Sequence, residues 1–150
     1  MRRLLADAGI EGVLVDSAGT AAWHIGDPPD RRSVAEARDR GIDLTGLRGR
    51  QVGPEDFDRF DLLLAMDRDN EADLHRLAPD DAARAKVALL RSFDSAAVAT
   101  GQLDVPDPYY GGPDGFARVF DAIEAACRAL LNGSVGLGAG AGSGGGGAPG

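Results

Sequence analysis

Phe60-Asp61-Leu62-Leu63-Leu64-Ala65-Met66 is the stretch that most narrows what this chain can become. It is too short for an independent helix and has no polar face. An apolar run of this length, ended by a polar residue, is a strand buried on both faces. Burial on both faces requires layers above and below it. Asp67 follows its C-terminal end and can cap a helix over 68–77, which Pro79 closes.

The flanking segments repeat the alternation. Gly12-Val13-Leu14-Val15-Asp16 reads as a second buried strand, followed by the small-residue loop Ser17-Ala18-Gly19-Thr20. Lys86 to Leu90 reads as a third strand. Helices are expected over residues 1–8, over 30–40 with Asp30 as cap, and over 54–59. Phe116, Val119, Phe120, Ile123, Cys127, Leu130 and Leu131 recur at helical spacing and predict a long final helix. Residues 44–52 and 91–103 read as loops. Alternation of helix and strand predicts an α/β fold, a doubly wound three-layer parallel sheet. Ligands of such folds bind beyond the C-terminal ends of the strands. Ser17, Asp67 and Asp107 all fall on that side.

The domain is expected to span 1–131. Ten of the 22 glycines lie in 132–150 with almost no apolar bulk, so a Gly-rich disordered tail is expected there. A net charge of −8 argues against nucleic acid or an anionic membrane as partner. No run of about 18 apolar residues is present, so no membrane span is expected. The single cysteine, Cys127, excludes an internal disulfide and fits a reducing, cytoplasmic setting. Its place on the apolar stripe of the final helix reads as a buried, inert thiol. No metal-ligand spacing occurs, and no metal or cofactor is expected.

Asp104-Val105-Pro106-Asp107-Pro108-Tyr109-Tyr110-Gly111-Gly112 carries the chemistry. Pro108 pushes Asp107 into extended backbone, and the two glycines allow a sharp exit. One carboxylate is thus held on a stiff loop beside two phenolic rings. Such a loop suits a proton donor over an aromatic substrate, although an ordinary Pro/Gly turn has the same composition. Trp23 reads either as a cover for the core or as a pocket rim. His24 reads as a solvated or hydrogen-bonded side chain. Arg48 and Arg50 could steer an anion or simply face water.

Taken together, several segments resemble the low-molecular-weight protein-tyrosine phosphatases. They are Asp16-Ser17-Ala18-Gly19-Thr20, Trp23-His24-Ile25-Gly26-Asp27-Pro28-Pro29-Asp30, Arg50-Gln51-Val52, Glu55-Asp56-Phe57, Phe60-Asp61, Ala65-Met66-Asp67 and Asp107-Pro108-Tyr109-Tyr110-Gly111-Gly112. The resemblance implies a phosphotyrosine protein or aryl phosphate as substrate and a cysteinyl-phosphate intermediate. It implies that Asp107 is the general acid and that Trp23, Tyr109 and Tyr110 rim the aromatic slot. Ser17 and Asp67 would support the phosphate-binding loop.

That family places its nucleophile in a Cys-x5-Arg-Ser loop near the N-terminus, after a central first strand. No such pattern occurs here, and the residue six beyond Cys127 is Gly133. The chain is therefore expected to begin inside the helix that follows that loop, as an N-terminally truncated form. It would lack the first strand, leaving a gap about twice the roughly 4.8 Å strand spacing. The expectations are a poorly folded polypeptide and no catalysis by these 150 residues alone. A non-catalytic remnant or regulatory binding module is one alternative. Arsenate reductase on the same fold is another, and it needs further thiols.

Overall fold

Leu63, Leu64 and Ala65 form strand β1 (Leu63–Ala65), and consecutive side chains of a strand point to opposite faces. Leu63 and Ala65 enter one core cluster, whereas Leu64 enters the other. The computed structural model describes residues 1–108 and 114–139, with side-chain surroundings as far as residue 133. Tyr109, Tyr110 and the tail from residue 140 lie outside the described residues.

The helices are α1 (Arg2–Asp7), α2 (Arg31–Asp39), α3 (Asp56–Arg59), α4 (Arg68–Leu77), α5 (Asp81–Arg84), α6 (Ser95–Thr100) and α7 (Gly115–Ala139). β1 pairs in parallel with β2 (Val87–Leu89), in the register Leu63 to Val87 and Ala65 to Leu89. A parallel pair needs a crossover, and α4 and α5 supply it. One face of the sheet packs Phe57, Leu74, Ala78 and Ala83 from the α3–α5 side. The other packs Leu4 of α1 and Ile123, Ala126 and Cys127 of α7. The three layers expected from the sequence are present.

Caps explain several boundaries. Asp30 accepts from the Arg32 N–H at 2.8 Å to start α2, and Asp67 accepts from the Asn70 N–H at 2.7 Å to start α4. Lys86, the only lysine, donates to the carbonyls of Phe57 at 2.6 Å and Phe60 at 3.2 Å. It thereby closes the C-terminal end of α3, where unpaired carbonyls favour a cation.

Three sequence expectations require correction. Residues 12–16 form no strand: Val13 and Leu14 are 54% and 57% exposed, and the chain enters a parallel bridge only at Gly19, opposite Gln51. A strand needs a neighbour, and the Val15 carbonyl is instead taken by the Arg2 guanidinium, with Nε at 2.9 Å. Residues 91–103 are not a simple loop, because a 3₁₀ turn (Leu90–Phe93) and α6 occupy most of them. Asp94 accepts from the Ala96 N–H at 3.0 Å to start α6, and Gly101 ends it at φ 70°. Finally, α7 continues past residue 131 to Ala139. A formed helix extends without a new nucleus, so the segment continues it although Gly133, Gly136 and Gly138 each weaken it.

Candidate active site

Asp67 stands at the C-terminal end of β1, and its carboxylate is committed to the first turn of α4. The root of the Asp107 loop is pinned beside it. Val105 donates its N–H to the Met66 carbonyl at 2.8 Å. Asp104 accepts the Arg68 N–H at 3.1 Å and Arg68 Nη1 at 3.2 Å. Arg91 Nη1 holds the Asp104 carbonyl at 2.9 Å. The far side of the loop approaches α7 closely. A Cβ on Gly115, the first residue of α7, would stand 2.5 Å from the Pro108 carbonyl oxygen. Only glycine permits that approach. Asp107 is therefore carried on a segment bonded to the end of β1 before it and lying close against the start of α7 after it.

Ser17 and Trp23 belong to a second loop system. Gly19 donates its N–H to the Arg50 carbonyl at 2.9 Å and accepts from the Val52 N–H at 2.9 Å. The turn at His24–Asp27 docks on Gly49: Gly26 N–H reaches the Gly49 carbonyl at 2.8 Å, and Gly49 N–H reaches the Asp27 carbonyl at 2.9 Å. A Cβ on Gly49 would lie 2.1 Å from the His24 carbonyl oxygen. The turn projects Trp23 outward at 86% exposure, with Ile25 at 58%. Trp23 is thus no cover for the core. His24 is exposed and bonded through Nδ1 to Asp27 at 3.1 Å, as a solvated side chain should be.

The residue that sequence reading undervalued is Arg50. Its Nε reaches Asp16 at 3.0 Å, and Nη1 and Nη2 fork onto Asp56 at 2.8 and 3.0 Å. Asp56 is 3% exposed and also accepts the Gly53 N–H at 2.9 Å. Its carboxyl is held below the usual range, chiefly by the Arg50 hydrogen bonds and against the effect of burial. The Asp16 carboxyl is lowered first by the Ser17 backbone N–H and further by Arg50. Arg48, by contrast, turns back on the Thr45 carbonyl at 2.9 Å. The alternation of Arg50, Asp56 and Asp16 in sequence gave no sign of this contact, because its partners lie 34 and six residues away.

This hub joins the Ser17 turn to the core. Arg50 ties the Ser17 turn to α3, which leads directly into β1 and so to Asp67. Cys127 lies 6% exposed in the core cluster under α7, remote in kind from an accessible nucleophile.

Known proteins share this arrangement. The family model described as low molecular weight phosphotyrosine protein phosphatase matches residues 1–137. A low molecular weight protein-tyrosine-phosphatase of Streptomyces coelicolor is 48% identical over 132 residues, covering 87% of this chain and 79% of the relative. The low molecular weight phosphotyrosine protein phosphatase of Homo sapiens is 39% identical, over 87% of this chain and 80% of its own length. Among solved structures, a protein tyrosine phosphatase from Entamoeba histolytica superposes with a TM-score of 0.79 at 33% identity, covering 87% of this chain and 81% of that one. YfkJ from Bacillus subtilis superposes with a TM-score of 0.78 at 36% identity, over 88% and 80%. The match of the family model over most of the chain, the identity to curated relatives and the shared fold agree, and this chain belongs to the low molecular weight phosphotyrosine protein phosphatases.

Proposed function

We propose that this chain carries the acid half of a phosphotyrosine phosphatase site, with Asp107 as the general acid that protonates a departing phenolate. The observation that carries the reading is the seating of the Asp107 loop, which is bonded through Val105 and Asp104 beside Asp67 and lies with Pro108 close against Gly115. General acid catalysis needs a carboxyl held within hydrogen-bond reach of the leaving oxygen, and a fixed loop provides this. Trp23, projecting from its turn, is a rim residue of an aromatic slot; the other rim residues implied by the family resemblance, Tyr109 and Tyr110, lie outside the described residues. Ser17 and Asp67 would brace a phosphate-holding loop supplied ahead of them. The substrates are phosphotyrosine proteins or smaller aryl phosphates.

The nucleophile is the part this sequence does not contain. Cys127 is its one thiol, it is buried, and no arginine follows at the spacing of a phosphate cradle. A carboxylic acid alone cannot displace a phosphate whose charge has no donors around it. These 150 residues are therefore inactive by themselves.

Two constructions test this. The chain as given is expected to show no turnover of para-nitrophenyl phosphate at any pH. A chimera that places a strand and a Cys-x5-Arg-Ser loop ahead of Met1 is expected to hydrolyse it. In that chimera Asp107→Asn should lower kcat by about 10²–10⁴, the usual contribution of a positioned acid. Turnover by the unmodified chain that disappears on Cys127→Ser would sink the reading. So would an active chimera indifferent to Asp107→Asn.

A further inference from the structure

We propose that Arg50 is the positioning residue of the Ser17 turn, holding both ends of that turn and tying it to α3. The inference rests on the phosphatase reading, in which Ser17 braces the phosphate-binding loop.

Two bonds from one residue bracket Ser17. On one side the guanidinium Nε of Arg50 holds Asp16 at 3.0 Å. On the other the Arg50 main-chain carbonyl accepts the Gly19 N–H at 2.9 Å. The side chain and the backbone of Arg50 therefore fix the turn at its first and last residues. The remaining two guanidinium nitrogens lock onto Asp56, itself buried and hydrogen-bonded to the Gly53 N–H. Arg50 cannot swing away without stripping a buried carboxylate of its partner.

The geometry also explains why the residue is arginine. Three contacts to two carboxylates require three donors in one plane, which a guanidinium has and an ammonium lacks. The charged groups acting on Asp16 are Arg50, Arg59 of α3 and Arg2 of α1, whose Nη2 stands 3.9 Å from Asp16 Oδ1. Arg50 makes the closest of these contacts. A plain structural prop would need only the Asp56 half of this arrangement. The Asp16 half is the part that acts on Ser17.

Amide exchange and NMR titration of the unmodified chain, Asp16→Asn, Arg50→Lys and Arg50→Gln separate the two roles. In the unmodified chain the Gly19 amide is expected to be protected at least tenfold over an unstructured peptide. Asp16→Asn leaves the Arg50–Asp56 fork intact, so it should speed exchange at Ser17 and Gly19 about tenfold while α3 stays within twofold. Arg50→Lys keeps a charge but should fail to restore protection at the turn. The Ser17 amide proton should follow the titration of Asp16, with its midpoint moving up in Arg50→Lys. An unprotected Gly19 amide overturns the proposal. So does an Asp16→Asn chain whose turn exchanges as before, or an Arg50→Lys chain that matches the original in both readouts. None of these measurements uses turnover, so their failure is distinct from a failure of the phosphatase reading, which the chimera decides.

Discussion

Val105 donates its N–H to the carbonyl of Met66 at 2.8 Å, which seats the root of the Asp107 loop one residue from Asp67. Asp104 reinforces this by accepting from both the backbone and the side chain of Arg68. Asp104→Ala removes both bonds. Because the pair is half exposed, the expected cost is small, about 0.5–1.5 kcal/mol. The sharper readout is local. Exchange at the Val105 amide should accelerate while the amides of β2 keep their rates, and equal acceleration of both would refute a local clamp.

Gly115→Ala tests the other side of the same loop. Its Cβ would meet the Pro108 carbonyl oxygen at 2.5 Å, so either α7 or the loop must move. Overpacking of this kind costs about 1–3 kcal/mol. In an active chimera kcat is expected to fall, because the acid is carried on the loop that the new methyl group displaces. An unchanged kcat would show that Asp107 tolerates displacement.

Asp56 predicts how stability changes with acid. Its folded carboxyl titrates below the unfolded value of about 3.9. Its contribution is therefore present above that value and lost as pH falls through the lower, folded one. Asp56→Asn should remove this part of the acid sensitivity and cost about 1.5–3 kcal/mol near neutrality, the range for hydrogen bonds to a charged group. Denaturation midpoints between pH 2 and pH 6 check it. A variant whose midpoint keeps the original pH slope would contradict the assignment.

Among the described residues Phe57 is the largest side chain sealed from solvent, and it belongs to the cluster on the α3–α5 face. Phe57→Ala is expected to cost about 3–5 kcal/mol, the usual loss for a buried phenylalanine. That is comparable to the whole stability of a small domain. Far-UV circular dichroism on heating should show little remaining transition. A shift of only a degree or two would mean that the cluster collapses onto the void.

The unpaired segment around Val13 bears on cooperativity. A two-stranded parallel sheet with exposed aliphatic residues beside it buries less surface than a closed one. Calorimetry is expected to give a broad transition with an enthalpy below the roughly 0.7 kcal/mol per residue of ordinary domains. A sharp transition at that full value would overturn this.

The parts legible in sequence were those with local causes. The run ending at Met66 fixed β1 and both its faces, and Asp67 marked the start of α4 by its capping chemistry. Trp23 and Asp107 were singled out correctly as loop residues. Residues 12–16 carry the composition of a strand, but strand formation depends on a partner that no local pattern specifies. The short helices α5 and α6 were hidden for a different reason. Each is four to six residues long, with too few turns to show a period, and only the caps Asp80 and Asp94 announce them. The hub at Arg50 was invisible because a loop arginine looks alike whether it faces water or a buried carboxylate.

Lys86 has a practical consequence. With its ammonium bonded to the carbonyls of Phe57 and Phe60 at the end of α3, the only lysine in the sequence should acylate more slowly for as long as that helix end stays closed. Its rate of labelling by an amine-reactive ester is then a direct clock for the opening of α3. Mass spectrometry can read that clock from the mass that the label adds.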